Sequence, residues 1–203
     1  MIIMDPEKLK NTLEKNGFGV KIFDTARQAA DELDRELDCT TVGFGGSVTL
    51  EQLGIYERLE KHNETFWHWR GDDPAAARDA AAKAAVYLTS ANAIAETGEI
   101  INIDGTGNRV ASMLYGHERL IIVAGMNKIA PDFAAAMDRA RNVASPLNAR
   151  RLARKTPCAL SEPMHCHDCS SPDRICNGAV VLYKKMGGIG RMDVYLIREP
   201  LGY

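Results

Sequence analysis

Apolar and polar positions along this chain fall into short segments whose period alternates between helical and extended. Asp5 to Asn16 predicts a helix, with Asp5 as cap, Pro6 in the first turn and Gly17 just past the end. Val20 to Phe23 predicts a strand, and Thr25 then caps a helix to Leu37 whose Ala26, Ala29, Ala30, Leu33 and Leu37 share one face. Thr40-Thr41-Val42 reads as a strand ending in the glycine loop Gly43-Phe44-Gly45-Gly46-Ser47, with a helix near Thr49 to Leu59 behind it. Further strands are expected at Phe66-Trp67, Val86 to Thr89, Arg119 to Ala124, Ala179 to Tyr183 and Met192 to Ile197. Pro74 to Ala85 predicts a helix. A longer one from Pro131 to Ala144 should break at Pro146 and resume to Arg154. Ala91 to Ile103 alternates loosely, as two strands or a hairpin, with Asp104-Gly105 as a turn, and Pro157 to Cys176 reads as irregular. Strands alternating with helices predict an α/β fold, its central sheet covered by helices on both faces, with ligands at the C-terminal ends of the strands.

Composition narrows this picture. With 203 residues and no compositional break, residues 1–203 are expected to form one domain with a cysteine-rich segment at 157–177. A chain of this length buries roughly 70% of its unfolded surface, so folding alone needs no metal or disulfide. Net charge is -2, which disfavours nucleic acid as a partner. One stretch departs from that balance: Arg139, Arg141, Arg150, Arg151, Arg154 and Lys155 fall in a run without an acidic residue. That run is either a solvated helix face or a patch facing a phosphate or an acidic partner. Met1 to Lys8 carries charge by Asp5 and no leader-like apolar run, and no stretch has the roughly 18 apolar residues of a membrane span. A cytoplasmic protein is expected, where five cysteines argue for metal or redox chemistry over a disulfide framework.

Four segments carry candidate chemistry. In the glycine loop, backbone can approach a ligand closely and a following helix start can meet an anion, with Ser47 and Thr49 adding hydroxyls; no lysine follows, so it is no nucleotide P-loop. The alternative reading of the loop is a tight turn that merely packs. In Thr89 to Ile100, Glu96 stands in an apolar run beside Gly98, as a nucleophile or general base, or as part of a hairpin turn with solvated acids. Asp104 to Arg109 is read as a plain hairpin turn from which Arg109 can reach a carboxylate or phosphate. The fourth segment holds Cys158, Cys166, Cys169 and Cys176, spaced x7, x2 and x6, with His165 and His167 beside them. Four thiols match the ligand count of an iron–sulfur cluster or of tetrahedral zinc, and free or redox-active thiols remain open. Cys39 is expected to be a small buried apolar residue.

Thr89 to Gly98, the run Asp168 to Asn177 and the segment Glu199-Pro200-Leu201-Gly202-Tyr203 together resemble the LUD (lactate-utilisation) domain family, over nearly the whole chain and in its cysteine-bearing branch. The resemblance implies the fold of ribose-5-phosphate isomerase, glucosamine-6-phosphate deaminase and the coenzyme A transferases. It implies a place beside iron–sulfur subunits that oxidise lactate. It also gives a catalytic candidate, Glu96, and ligand-binding candidates Gly43, Gly45, Gly46 and Ser47; the same polar loops add Thr49, Asn92, Thr97, Gly98, Asn108 and Arg109 as ligand-binding candidates. The leading expectation is an accessory or redox component of lactate or 2-hydroxy-acid utilisation. It would be a homo-oligomer, with an iron–sulfur cluster or zinc at the four cysteines. One alternative is an enzyme acting on a phosphorylated or coenzyme A-linked small molecule; another is a redox-sensing regulator.

Overall fold

The computed structural model describes residues 5–203; Met1 to Met4, part of the stretch read for a leader sequence, lie outside them. Six parallel strands form the main sheet: β1 (Gly19–Phe23), β2 (Thr41–Phe44), β3 (Glu64–Trp67), β4 (Val86–Thr89), β7 (Arg119–Gly125) and β10 (Arg191–Ile197), in the order β1-β10-β7-β4-β2-β3. A second sheet, ordered β8-β5-β6-β9, joins β5 (Ala93–Ala95), β6 (Ile100–Asp104), β8 (Ile129–Ala130) and β9 (Gly178–Leu182).

Alternation along β7 shows how the layers are held. Ile121 and Val123 point to one face, where Ala29, Ala30 and Leu33 of α2 (Ala26–Glu36) and Leu50 and Leu53 of α3 (Val48–Leu53) cover them. Leu120, Ile122 and Ala124 point to the other face. There they meet Leu9 and Leu13 of α1 (Pro6–Lys15) and Ile94, Ile100 and Leu182 of the second sheet. The outer side of that sheet, Ala93, Ala95 and Ile101, is closed by Ala136 of α7 (Phe133–Arg139) and by Ala140. The fold is thus α/β with a central parallel sheet flanked by helices, and on one face a second sheet is inserted between it and the outer helix. Small alanines on both sides let that helix lie close.

Local chemistry explains where the sequence reading and the structure differ. The helix expected over Thr49 to Leu59 is cut by Gly54, which adopts φ +61 as the C-cap of α3, before the single turn α4 (Tyr56–Leu59). Strand β2 runs on through Gly43 and Phe44, so the loop proper is Gly45-Gly46-Ser47. Pro146 does not break the helix. A wide π turn over Ala140–Ala144 makes room for its ring and joins α7 directly to α8 (Ser145–Arg151), with Ser145 Oγ donating to the Ala140 carbonyl at 2.8 Å. Asp104 to Arg109 is no hairpin turn. The Asp104 carboxylate accepts from the Thr106 and Gly107 amides at 3.1 and 3.0 Å and leads the chain into the turn α6 (Asn108–Ser112). Cys39 is exposed, at φ +52 after the end of α2, where a buried residue was expected. Among the described residues no helix is long and apolar enough to cross a membrane.

Candidate functional site

A cleft of about 360 Å³ opens at the C-terminal edge of the main sheet. Each neighbouring strand delivers something to it as it ends: β2 leads to Gly46, Ser47 and Thr49, β3 to His68 and Trp69, β4 to Ser90, β7 to Lys128, and β10 to Gly202 and Tyr203. Parallel strands make this convergence unavoidable, since all of them finish on the same side. Arg78 of α5 (Pro74–Ala81), Arg109 of α6, and Arg151 and Arg154 after the π turn complete the wall.

The cleft is strongly cationic. Five basic side chains line it, Arg78, Arg109, Lys128, Arg151 and Arg154, against one acid, Asp104. That acid is already committed, because Arg109 Nε donates to Asp104 Oδ2 at 3.0 Å while its other arm donates to the Ile103 carbonyl at 2.7 Å. Arg151 lies 4.6 Å from the Trp69 ring centroid and donates to Asn148. Arg78 Nε and His68 Nδ1 are buried without a hydrogen-bond partner among the described residues. Burial, reinforced by the Arg78 charge, lowers the His68 imidazole to about 4, so it is neutral at physiological pH.

Lys128 lies deepest. Its ammonium donates to Thr49 Oγ1 at 2.8 Å, Ser90 Oγ at 2.9 Å and the Ala91 carbonyl at 3.1 Å. Burial, with Arg139 and Arg109 adding like charge, lowers its pKa to about 7.

The structure divides the expected site residues. Gly46, Ser47, Thr49, Asn92, Asn108 and Arg109 border the cleft. Gly43 and Gly45 do not: a Cβ at Gly43 would collide with the Ala81 backbone of α5, and one at Gly45 would press on Arg109 and Thr89. These two glycines admit neighbouring protein where a ligand was expected. Gly46 presents its bare face to His68 and Trp69. Ser47 is spent as the cap of α3, accepting from the Leu50 amide at 3.2 Å.

Glu96, Thr97 and Gly98 form the β5–β6 turn and pack toward α1, with Glu96 4.0 Å from Lys8 and Gly98 against Asn16. The three residues of β5 separate Glu96 from Asn92, four steps or about 13 Å of rise, so the structure does not bring Glu96 and Arg109 into one cleft as expected. Lys128, His68, Trp69, Arg78 and Ser90 were missed. A signal for Lys128 was present: a lone charge in Gly125-Met126-Asn127-Lys128-Ile129, directly after the most apolar strand.

The basic run disperses. Arg139 donates to the Asn127 and Asn92 carbonyls, Arg150 pairs with Glu162, Arg141 faces the cysteine segment and Arg151 faces the cleft.

The four thiols do not converge. Among the described residues no three His, Cys, Asp or Glu side chains form a metal-holding group. Cys158 sits on a single turn, α9 (Pro157–Leu160), beside Thr156, while Cys166 and Cys176 border a separate cavity of about 330 Å³ with Arg141, Arg174 and Asp168. Arg141 lies 3.7 Å from Cys166 Sγ, and Arg174 donates to the Cys169 and Cys176 carbonyls at 2.6 and 3.0 Å. As placed, the four thiols do not form a set that fits an iron–sulfur cluster or zinc.

A comparison with curated proteins matches none of them. Among solved structures the chain is similar to the crystal structure of a DUF162 family protein from Deinococcus radiodurans, with a TM-score of 0.51, 14% identity and 94% of each chain covered. At that identity the likeness speaks for the fold. The family model described as the LUD domain matches residues 6–197, and the chain therefore belongs to the LUD domain family.

Proposed function

We propose that this chain serves lactate or related 2-hydroxy-acid utilisation by binding a small carboxylate or phosphorylated anion in the cleft at the C-terminal edge of the main sheet. Membership of the LUD domain family supports a role in lactate utilisation broadly. The observation that carries the finer reading is the charge imbalance of the cleft: five basic side chains against Asp104, which Arg109 already holds. Lys128 is buried and Arg78 half-buried, neither with an acidic partner among the described residues, and an anionic ligand supplies the missing charge. A hydroxy acid or phosphate also suits the remaining wall, where Thr49, Ser90, Asn92 and Asn108 offer hydroxyl and amide groups. The cysteine-borne iron–sulfur cluster or zinc rests on thiol spacing alone and takes no part in this reading.

Calorimetric titration with L-lactate and with inorganic phosphate tests it. Saturable binding of at least one, weakened about tenfold in Arg78→Gln and in Arg151→Gln, is expected. Failure of both ligands to bind the wild-type chain overturns the reading.

A further inference from the structure

At the floor of the cleft three side chains form a closed triangle that anion binding does not require. Lys128 Nζ lies 2.9 Å from Ser90 Oγ and 2.8 Å from Thr49 Oγ1, and the two hydroxyl oxygens are 3.2 Å apart. Ser90 is 3% exposed and Lys128 4%, and both border the cleft. Gly202, at φ +61, passes so close over Thr49 Oγ1 and Lys128 Nζ that any Cβ there would disturb them.

Donor accounting closes in two protonation states. As an ammonium, Lys128 donates to Ser90 Oγ, Thr49 Oγ1 and the Ala91 carbonyl, while the Ser90 hydroxyl turns to Thr49 Oγ1 and the Thr49 hydroxyl to the Leu201 carbonyl. As a neutral amine, Lys128 still donates to Thr49 and Ala91, and its lone pair accepts the Ser90 hydroxyl proton. A proton can therefore pass from Ser90 Oγ to Lys128 Nζ without leaving any buried group unpaired. The charged groups facing Lys128 are Arg139 from α7 and Arg109 from α6, and no carboxylate pairs with it among the described residues; with burial they lower it to about 7.

We propose that Ser90 and Lys128 are a nucleophile–base dyad that cleaves activated acyl esters of small anionic acids. It rests on the anion-cleft reading only for the charge of the acid. Lys128 Nζ takes the Ser90 proton as Oγ bonds to the acyl carbon and the carbonyl π pair moves onto its oxygen. The carbonyl re-forms, the bond to the leaving group breaks, and Nζ returns the proton to the departing atom. Water then gives a proton to Nζ and bonds to the acyl carbon of the acylated serine. The Ser90 oxygen leaves with that proton. The balance is ester plus water to acid plus alcohol, with no change of oxidation state. Arg78 and Arg151 hold the charged end of the acid.

The test uses the full chain with p-nitrophenyl acetate, following p-nitrophenolate and locating the acetyl group by peptide mass spectrometry. A burst approaching one equivalent per chain, with the acetyl group on Ser90, is expected. The burst rate should rise with pH through about 7, as Lys128 loses its proton, and then level off. Ser90→Ala should abolish the burst and Lys128→Met should slow it about 100-fold. A circular dichroism spectrum and thermal midpoint of Ser90→Ala that match the wild type show that the fold survives that change. No wild-type burst, an acetyl group on Lys128 or Thr49 in place of Ser90, or a rate that climbs with hydroxide without levelling would each overturn the dyad. A burst at Ser90 in a chain that binds neither phosphate nor lactate keeps the dyad and overturns the cleft reading instead.

Discussion

The two ends of the main sheet hold their charges in opposite ways. At the N-terminal edge, Arg119 donates to Asp193 at 2.6 Å and to Glu36 at 2.7 Å, Tyr195 donates to the same Glu36 at 2.7 Å, and Lys21 pairs with Glu36 and Glu32. Every buried charge there has a partner from another element. At the C-terminal edge, Lys128, Arg78 and Arg139 are buried or half-buried, and none forms an ion pair among the described residues. A completed network ties α2 to β1, β7 and β10. An incomplete one leaves positive potential for something to neutralise. Charges that are satisfied internally serve the fold, and those left unsatisfied in a cleft point to a ligand.

This contrast is broken most severely at Asp193, whose side chain is 2% exposed between Arg119 and Arg191. Asp193→Ala takes from Arg119 one of its two carboxylates and leaves Glu36 as the other, and urea denaturation should show a loss of about 2 kcal/mol. Lys128→Met is the mirror experiment. It removes a buried charge with no acidic partner, so stability should change by no more than about 1 kcal/mol while phosphate affinity falls about tenfold. Because folding lowers Lys128 to about 7 from 10.5, the unfolded chain binds a proton between those values that the folded chain does not. The contribution of this group to wild-type stability should therefore rise with pH across that window, and Lys128→Met should lose the rise.

A smaller effect is expected on the acid side. Burial opposes ionisation of Glu36, yet hydrogen bonds from Lys21, Tyr195 and Arg119 outweigh it and hold the carboxyl at about 2, below its usual 4.5. Its stabilisation is complete above 4.5 and drains away as pH falls toward about 2. Acid titration followed by circular dichroism should show that step in the wild type and not in Glu36→Gln. The smallest effect is reserved for Glu96→Gln. Its partner Lys8 is exposed and the turn lies far from the cleft, so stability should move by less than about 0.5 kcal/mol with lactate and phosphate binding unaltered.

Much of the architecture was legible because it follows from local rules. Helical spacing in Ala29, Ala30 and Leu33 marked the buried face of α2, and the unbroken apolar run Leu120 to Ala124 marked a strand covered on both sides. The strand Ile129–Ala130 escaped notice because two residues carry no period, and it exists only by pairing with β5. The half of the site that rests on Ser47, Thr49, Asn92 and Arg109 was visible in polar and glycine-rich loops. Lys128, Arg78 and His68 were not, because each belongs to a different strand end or helix and nothing in their own neighbourhoods advertises the others. Glu96 misled for the same reason: its side chain is largely buried, as its apolar neighbours suggest, but the hairpin carries it to the turn against α1 and away from the cleft.

The sequence by itself determined the alternation of strands and helices, the apolar faces and the presence of a glycine turn after β2, since these depend on neighbours within a few residues. Only the tertiary structure decided that five strand ends meet in one cationic cleft, that Gly43 and Gly45 serve packing, and that the four thiols stand apart. Those outcomes depend on strand order and on how a second sheet and α7 close over the first. They are set by contacts between residues tens of positions apart, which no local pattern records.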